Sequence, residues 1–346
     1  METLWFCLVA FTIAGYVVLD GFDIGAGIIH NFAAKDDTGR RKILASIGPV
    51  WDGNEVWLLA GGGTLYFAFP KLYASSFAGF YLPLMMVLWL LIFRALAIEF
   101  RNHIASNLWR PFWDVAFGGA STLLAVFFGA ALGNVVRGVS LDKDGVFFLP
   151  LWTDFGVGAE VGILDWYTIL VGVLAAATLT LHGSLWVAYK TDGEVRERAH
   201  RYAQRAWYGT TALTLLVTAA TFAIQPQVPA NFGKYPFGVV FPLLAIAGLA
   251  GVRLYLRHET ELRAFLASCL FVVGMLTSAA FGIFPFVLPS SSDPELGLTI
   301  YNTATTSYGL KVGLAWWIPG MLLATGYFVF IYRRFAGKVR LEDSGH

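Results

Sequence analysis

Two short stretches hold carboxylates where the surrounding sequence is apolar. Asp20 and Asp23 lie in Val18-Leu19-Asp20-Gly21-Phe22-Asp23-Ile24-Gly25, and Asp52 and Glu55 in Pro49-Val50-Trp51-Asp52-Gly53-Asn54-Glu55-Val56-Trp57-Leu58. Each pair is spaced i, i+3, so on a helix both members share one face. A carboxylate at the centre of a membrane helix costs about 2.5–3.5 kcal/mol on insertion scales. Four of them must therefore face protein or water, pair with cations, or hold a proton. A third stretch, Phe93-Arg94 followed by Glu99-Phe100-Arg101, supplies a counter-charge and another acid. Carboxylates gathered around an arginine suit a proton or cation pathway, with the acids as relay stations. The same groups suit interhelical hydrogen bonding near the membrane interface, where charge is cheaper. Asp20 and Asp52 are the foremost pathway candidates, with Asp23 and Glu99 beside them. Arg94, Glu55 and Asn54 are candidates for supporting charge or polarity.

Histidine bears on whether the chain could hold haem, which facing His or Met side chains ligate across a membrane. His30, His103, His200, His258 and His346 fall in predicted loops or at span ends. Only His182 lies well inside an apolar run, without a partner histidine. It is a weak candidate ligand, and a lone buried histidine is more often a satisfied polar group. Met85, Met86, Met275 and Met321 read as packing. Cys7 and Cys269 lie in separate apolar runs and imply neither a disulfide nor a thiolate metal site. No cofactor or metal is expected in this chain.

The elements that must position these groups follow from composition. The 346 residues are 57% hydrophobic and 14% charged, far from the balance of a soluble globular protein. A net charge of +1 excludes the basic excess of a nucleic-acid binder. A membrane crossing needs about 20 apolar residues. Nine such runs lie near Leu4–Ile29, Ile47–Phe69, Phe77–Ile98, Asp114–Val136, Leu164–Tyr189, Ala206–Ile224, Phe237–Leu256, Ala264–Leu288 and Leu310–Tyr332. The expected fold is an all-α membrane protein in a single polytopic domain. It reads as two four-helix units, 1–136 and 164–288, with a ninth helix over 310–334. Loops 138–163 and 289–309 are Gly/Pro/Ser-rich and expected at the surface. Pro83, Pro242, Pro285 and Pro319 are expected to kink or end spans, and Gly21 with Gly25 to permit close helix approach.

Nineteen of the 24 Lys and Arg residues fall on one side of this arrangement, leaving Lys71, Arg137, Lys143, Lys234 and Lys311 on the other. Basic residues stay in the cytoplasm, so the N-terminus is expected outside and the C-terminus inside. The first run stays in the mature chain, since Glu2 stands where a signal peptide is basic. Asp20 then lies about 24 Å along the first helix. Asp52 and Glu55 begin the second span, and Arg94 and Glu99 end the third, all toward the cytoplasm.

In these stretches the chain resembles subunit II of the cytochrome bd-type quinol oxidases, a family that includes the cyanide-insensitive oxidases. Asp20 to Gly25, Pro49 to Leu58, Phe93 to Arg101 and the run Phe284-Pro285-Phe286-Val287-Leu288-Pro289-Ser290-Ser291 occur in the family's order, over nearly the whole chain. The resemblance implies a heterodimeric terminal oxidase of a bacterial respiratory chain in the cytoplasmic membrane. It oxidises membrane quinol and reduces oxygen to water with cytoplasmic protons. It further implies that two haems b and one haem d belong to subunit I. This subunit would be haem-free, supporting assembly and part of a proton route. The family's membrane carboxylates map onto Asp20, Asp23 and Asp52. Glu99 stands where some members carry Asp, and Glu55 where others carry Gln. The resemblance leaves open a small single-helix accessory subunit and a bound quinone or lipid. Two other classes use the same carboxylates: a secondary transporter or cation channel, and a purely structural partner.

Overall fold

The apolar runs fold as helices because each backbone N–H and C=O in a lipid medium must be satisfied within its own segment. The computed structural model describes residues 1–158 and 161–340, so His346 lies outside the described residues. The helices are α1 (Glu2–Ala33), α2 (Asp37–Ile47), α3 (Trp51–Ala68), α4 (Pro70–Gly79), α5 (Tyr81–Phe100), α6 (Trp109–Arg137), α7 (Trp166–Lys190), α8 (Gly193–Ile224), α9 (Gln227–Lys234), α10 (Val240–Arg257), α11 (Glu261–Ile283) and α12 (Ser307–Arg334). A short antiparallel ribbon pairs β1 (Phe286–Leu288) with β2 (Leu298–Thr299), Leu288 opposite Leu298. Among the described residues, eight helices are long and apolar enough to cross a membrane. The 18-residue α3, which carries Asp52 and Glu55, is not one of these.

Element boundaries depart from the sequence reading at identifiable residues. Pro49 sits in the turn between α2 and α3, so α3 starts at Trp51 rather than Ile47; proline has no N–H to continue the α2 ladder. Pro70 opens a separate short helix, α4, and the third span begins at Tyr81 rather than Phe77. Helix α8 starts at Gly193, well before its apolar run, on a charged turn held by Arg196 to Glu261 at 2.6 Å. Pro83 and Pro242 occupy the first turns of α5 and α10. A missing N–H costs nothing there, so neither proline breaks its helix.

Helix α1 is the axis, packed on α3, α6, α7 and α11. Its buried residues include Trp5, Val9, Thr12, Tyr16, Asp20, Asp23, Gly27 and His30, at helical spacings of three and four. Gly25 and Gly183 let α1 and α7 meet backbone to backbone, because a Cβ on either would strike the main chain of the other. Gly21 faces Leu179 of α7, as its spacing with Gly25 predicts.

Two apolar clusters close the ends. One gathers Ile43, Ile47, Ala97, Trp113, Trp186, Leu256 and Phe265 around the C-terminal part of α1. The other gathers Trp5, Phe69, Phe147, Ile163, Leu288, Ile300 and Leu310 around its start. The second cluster corrects the surface placement of the two long loops. Leu141, Phe147, Val161 and Ile163 from one, and Leu298 and Ile300 from the other, are buried against each other. Arg137 and Asp165, a buried ion pair, tie the first loop down, and Asp165 also caps α7 through the Tyr167 and Thr168 N–H groups. The C-terminal strand of chain is anchored as well. Lys338 donates to Thr191 O at 2.6 Å and Val339 N–H to Lys190 O at 2.8 Å. Partial burial there holds the Lys338 ammonium below its ordinary pKa.

Candidate functional site

Asp20 and Asp23 both point inward from α1, and neither is exposed. Their partners come from two different helices. Arg94 of α5 donates through Nη1 to Asp20 Oδ1 at 2.7 Å and through Nη2 to Glu55 Oε2 of α3 at 3.0 Å. Asn54 of α3 donates through Nδ2 to Asp23 Oδ2 at 2.8 Å and to the Leu19 carbonyl at 3.2 Å. The planar guanidinium can serve two carboxylates at once, which a lysine cannot do with the same geometry. Helices α3 and α5 pack on α1 and α6 respectively rather than closely on each other. Arg94 therefore links three helices across the space that separates two of them.

The sequence reading placed Asp52 and Glu55 on one face. On α3 the buried face is instead Asn54, Trp57, Gly61, Thr64 and Ala68, spaced three and four. Asn54 thus takes the inward position, Glu55 flanks it at 25% exposure, and Asp52 is exposed on the far side. On α5 the buried face is Arg94, Ala97 and Ile98, continuing to Arg101, and Glu99 is exposed. Asp20, Asp23, Asn54, Glu55 and Arg94 therefore form one network. Asp52 and Glu99 sit on the outer surface of the same helices. Around them the surface is apolar, with Val56, Leu59, Phe93 and Phe100 all exposed.

Two tyrosines belong with this network and were not singled out from sequence. Tyr16, one turn before Asp20 on the same face of α1, is 5% exposed. Tyr332 of α12 donates its hydroxyl to Asn54 Oδ1 at 2.9 Å. The helical spacing 16-20-23 could have found Tyr16. No local signal connects Tyr332 to residues 278 positions away.

A second polar cluster lies nearer the end of α1, around Asp114 of α6, which is 1% exposed. His30 Nε2 lies 2.6 Å and Arg101 Nε 2.5 Å from Asp114 Oδ1, and Arg40 Nη1 is 2.9 Å from Oδ2. Arg101 and Arg110 also reach Asp37, at 2.9 and 3.1 Å. His30 was expected at a span end; it is buried inside the last turns of α1. Nothing in the local sequence around Asp114, Arg40 or Arg101 announces that the three meet. Asp114 joins α1, α2, α5 and α6.

His182, the candidate ligand, is engaged through both ring nitrogens. His182 is fully buried, and its Nε2 donates to the Val18 carbonyl at 2.9 Å while Nδ1 lies 2.7 Å from Ser268 Oγ. Its ring stacks on Phe265 with centroids 4.8 Å apart. Both ring nitrogens are committed to protein, and His30 already uses Nε2 on Asp114. Among the described residues no group of three or more His, Cys, Asp or Glu side chains could hold a metal ion.

Comparison with known proteins agrees along the whole chain. The family model for cytochrome bd terminal oxidase subunit II matches residues 1–335. Subunit 2 of the cytochrome bd-I ubiquinol oxidase of Escherichia coli K12 is 30% identical, over 99% of this chain and 96% of its own length. Subunit 2 of the cytochrome bd ubiquinol oxidase of Bacillus subtilis strain 168 is 32% identical, over 90% and 89%. A chain of the bd oxidase of Geobacillus thermodenitrificans shares the fold, with a TM-score of 0.75 and 18% identity over 96% of this chain and 98% of that one. A family model matched over nearly the whole chain, and relatives 30% and 32% identical over most of their length, place it: the chain belongs to the cytochrome bd terminal oxidase subunit II family.

Proposed function

We propose that this chain is the haem-free subunit II of a quinol:oxygen oxidoreductase of the cytochrome bd type. In this reading it supports assembly of subunit I and carries part of a proton route from the cytoplasm toward the oxygen-reduction site. The chain crosses a bacterial cytoplasmic membrane nine times, α3 being the additional crossing, with the N-terminus outside and the C-terminus inside. Residues 1–136 and 164–288 form two four-helix units, and α12 is the ninth span. Two haems b and one haem d, held by subunit I, carry electrons from quinol to oxygen. No step passes through haem in this chain.

The observation that carries the proposal is the division of one acidic group into a buried and an exposed part. Asp20, Asp23 and Glu55 are held inside by Arg94 and Asn54. Asp52 and Glu99 stand on the outer surface of the same two helices. Exposed carboxylates set among apolar side chains suit a face that a protein partner covers, with the acids continuing into it. Subunit I is that partner. A small single-helix accessory subunit, and a quinone or lipid lodged between helices, fit the remaining apolar surface. A transporter or cation channel has no such support, because Arg94 already holds the position that a coupling ion would take beside Asp20.

The test is made on the complex co-purified with its subunit I. Asp52→Asn and Asp20→Asn are expected to yield assembled oxidase, with normal b- and d-type absorption bands, that has lost most of its quinol oxidase turnover. Full turnover in both variants would refute the proton route and leave a structural role. This chain purified alone is expected to show no Soret band; stoichiometric haem in it would overturn the haem-free assignment.

A further inference from the structure

Asn54 is fully buried, and each end of its amide is used. Nδ2 donates to Asp23 Oδ2 and to the Leu19 carbonyl, so Oδ1 must point the other way, where the Tyr332 hydroxyl donates to it at 2.9 Å. A side-chain amide rotates readily, and a flipped Asn54 would turn its oxygen toward the Asp23 carboxylate. The Leu19 carbonyl and the Asp23 carboxylate oxygen oppose the flip because both accept, and the hydrogen bond from Tyr332 to Oδ1 holds the amide at its other end. The Tyr332 hydroxyl is itself preset, for the ring lies between Phe328 and Trp186, with centroids 6.2 and 6.1 Å away. Helix α12 is otherwise peripheral, with Leu310 its one buried residue. Its polar tie to the acidic network is therefore this hydroxyl.

We propose that Tyr332 is a positioning residue of the oxidase. Through Asn54 it fixes the hydrogen bonding of Asp23 and so makes the last helix part of the proton route. The inference rests on the proton-delivery reading above. A bond of this kind contributes about fivefold to an equilibrium or rate when it is lost.

The test is a double-mutant cycle in the assembled two-subunit oxidase, using Tyr332→Phe, Asn54→Leu and the pair, with kcat and the quinol KM measured for each. Tyr332→Phe is expected to lower kcat about fivefold with KM unchanged, and to add no further loss once Asn54 is gone. Wild-type kcat in Tyr332→Phe, a change in KM alone, or losses that multiply in the double variant would overturn it. If Leu at 54 prevents co-purification with subunit I, Asn54→Ala replaces it in the same cycle. Asp23→Asn separates the two levels of the reading. Full turnover in that variant removes the proton route and this inference together. A slow Asp23→Asn beside a fully active Tyr332→Phe removes the inference alone.

Discussion

Arg94 is the residue on which the buried acids depend. It is unexposed, and it faces Asp20 and Glu55 with separate nitrogens. Removing one partner of a buried ion pair typically costs about 3–5 kcal/mol, because the other charge stays behind in a low-dielectric site. Arg94→Leu is therefore expected to abolish recovery of the assembled complex. Arg94→Lys is expected to assemble with a lowered thermal midpoint, since one ammonium cannot span both carboxylates. Equal thermal stability of Arg94→Lys and wild type would show that bridging Asp20 to Glu55 adds nothing. The acids and the arginine were legible in the sequence because charge inside an apolar run is costly. Their pairing was not legible. Which nitrogen meets which carboxylate depends on how α3 and α5 are rotated about their axes, and that rotation is set by packing on α1 and α6.

Among elements, α1 and α7 meet backbone to backbone, and glycine makes that contact possible. A side chain at Gly25 would collide with the α7 backbone, whereas Gly62 and Gly63 on α3 face open space. Gly25→Val is expected to prevent folding, seen as loss of the monodisperse peak in detergent. Gly62→Ala is expected to be neutral or to raise the thermal midpoint slightly, since alanine is favoured over glycine inside a helix by about 1 kcal/mol. Similar behaviour of the two variants would contradict this difference in packing. The spacing of Gly21 and Gly25 announced the first contact correctly. The run Gly61-Gly62-Gly63 is as small, yet of the three Gly61 alone lies against α1, beside Ile13 and Thr12. A stripe of small residues states that close approach is permitted, and only the partner helix decides which of them is used. The face of α3 makes the same point. The i, i+3 spacing correctly placed Asp52 and Glu55 on adjacent turns, but the phase of the buried stripe, 54-57-61-64, turned Asn54 inward and Asp52 outward.

At the scale of the whole molecule, the strongest expectation is orientation. The uneven distribution of Lys and Arg puts the α1 start, the Arg137–Asp165 cap and Lys143 outside, and Lys35 with the α2 region inside. In a background lacking Cys7 and Cys269, Lys143→Cys is expected to react with a membrane-impermeant maleimide on intact spheroplasts. Lys35→Cys is expected to react only after permeabilisation. The reverse pattern would invert the topology and move the acidic network to the opposite face of the membrane.

Composition and short motifs alone establish that this is a helical membrane chain, that costly acids lie in its first two apolar runs and an arginine in the third, and which family it belongs to. Those properties are written in composition and in short collinear stretches, and they survive any detail of packing. Tertiary structure decided what the stretches touch. Asp114 became the junction of four segments because α2, packed on α1, brings Arg40 to Asp114 and Asp37 to Arg110. The long loops became a buried cap because their apolar residues meet Trp5, Phe69 and Leu310 from distant parts of the chain. Tyr332 entered the acidic network because α12 returns to α1 and α3 after 278 residues. Contacts at such separations leave no local periodicity; they arise from the relative rotation and depth of helices, which only the assembled bundle fixes.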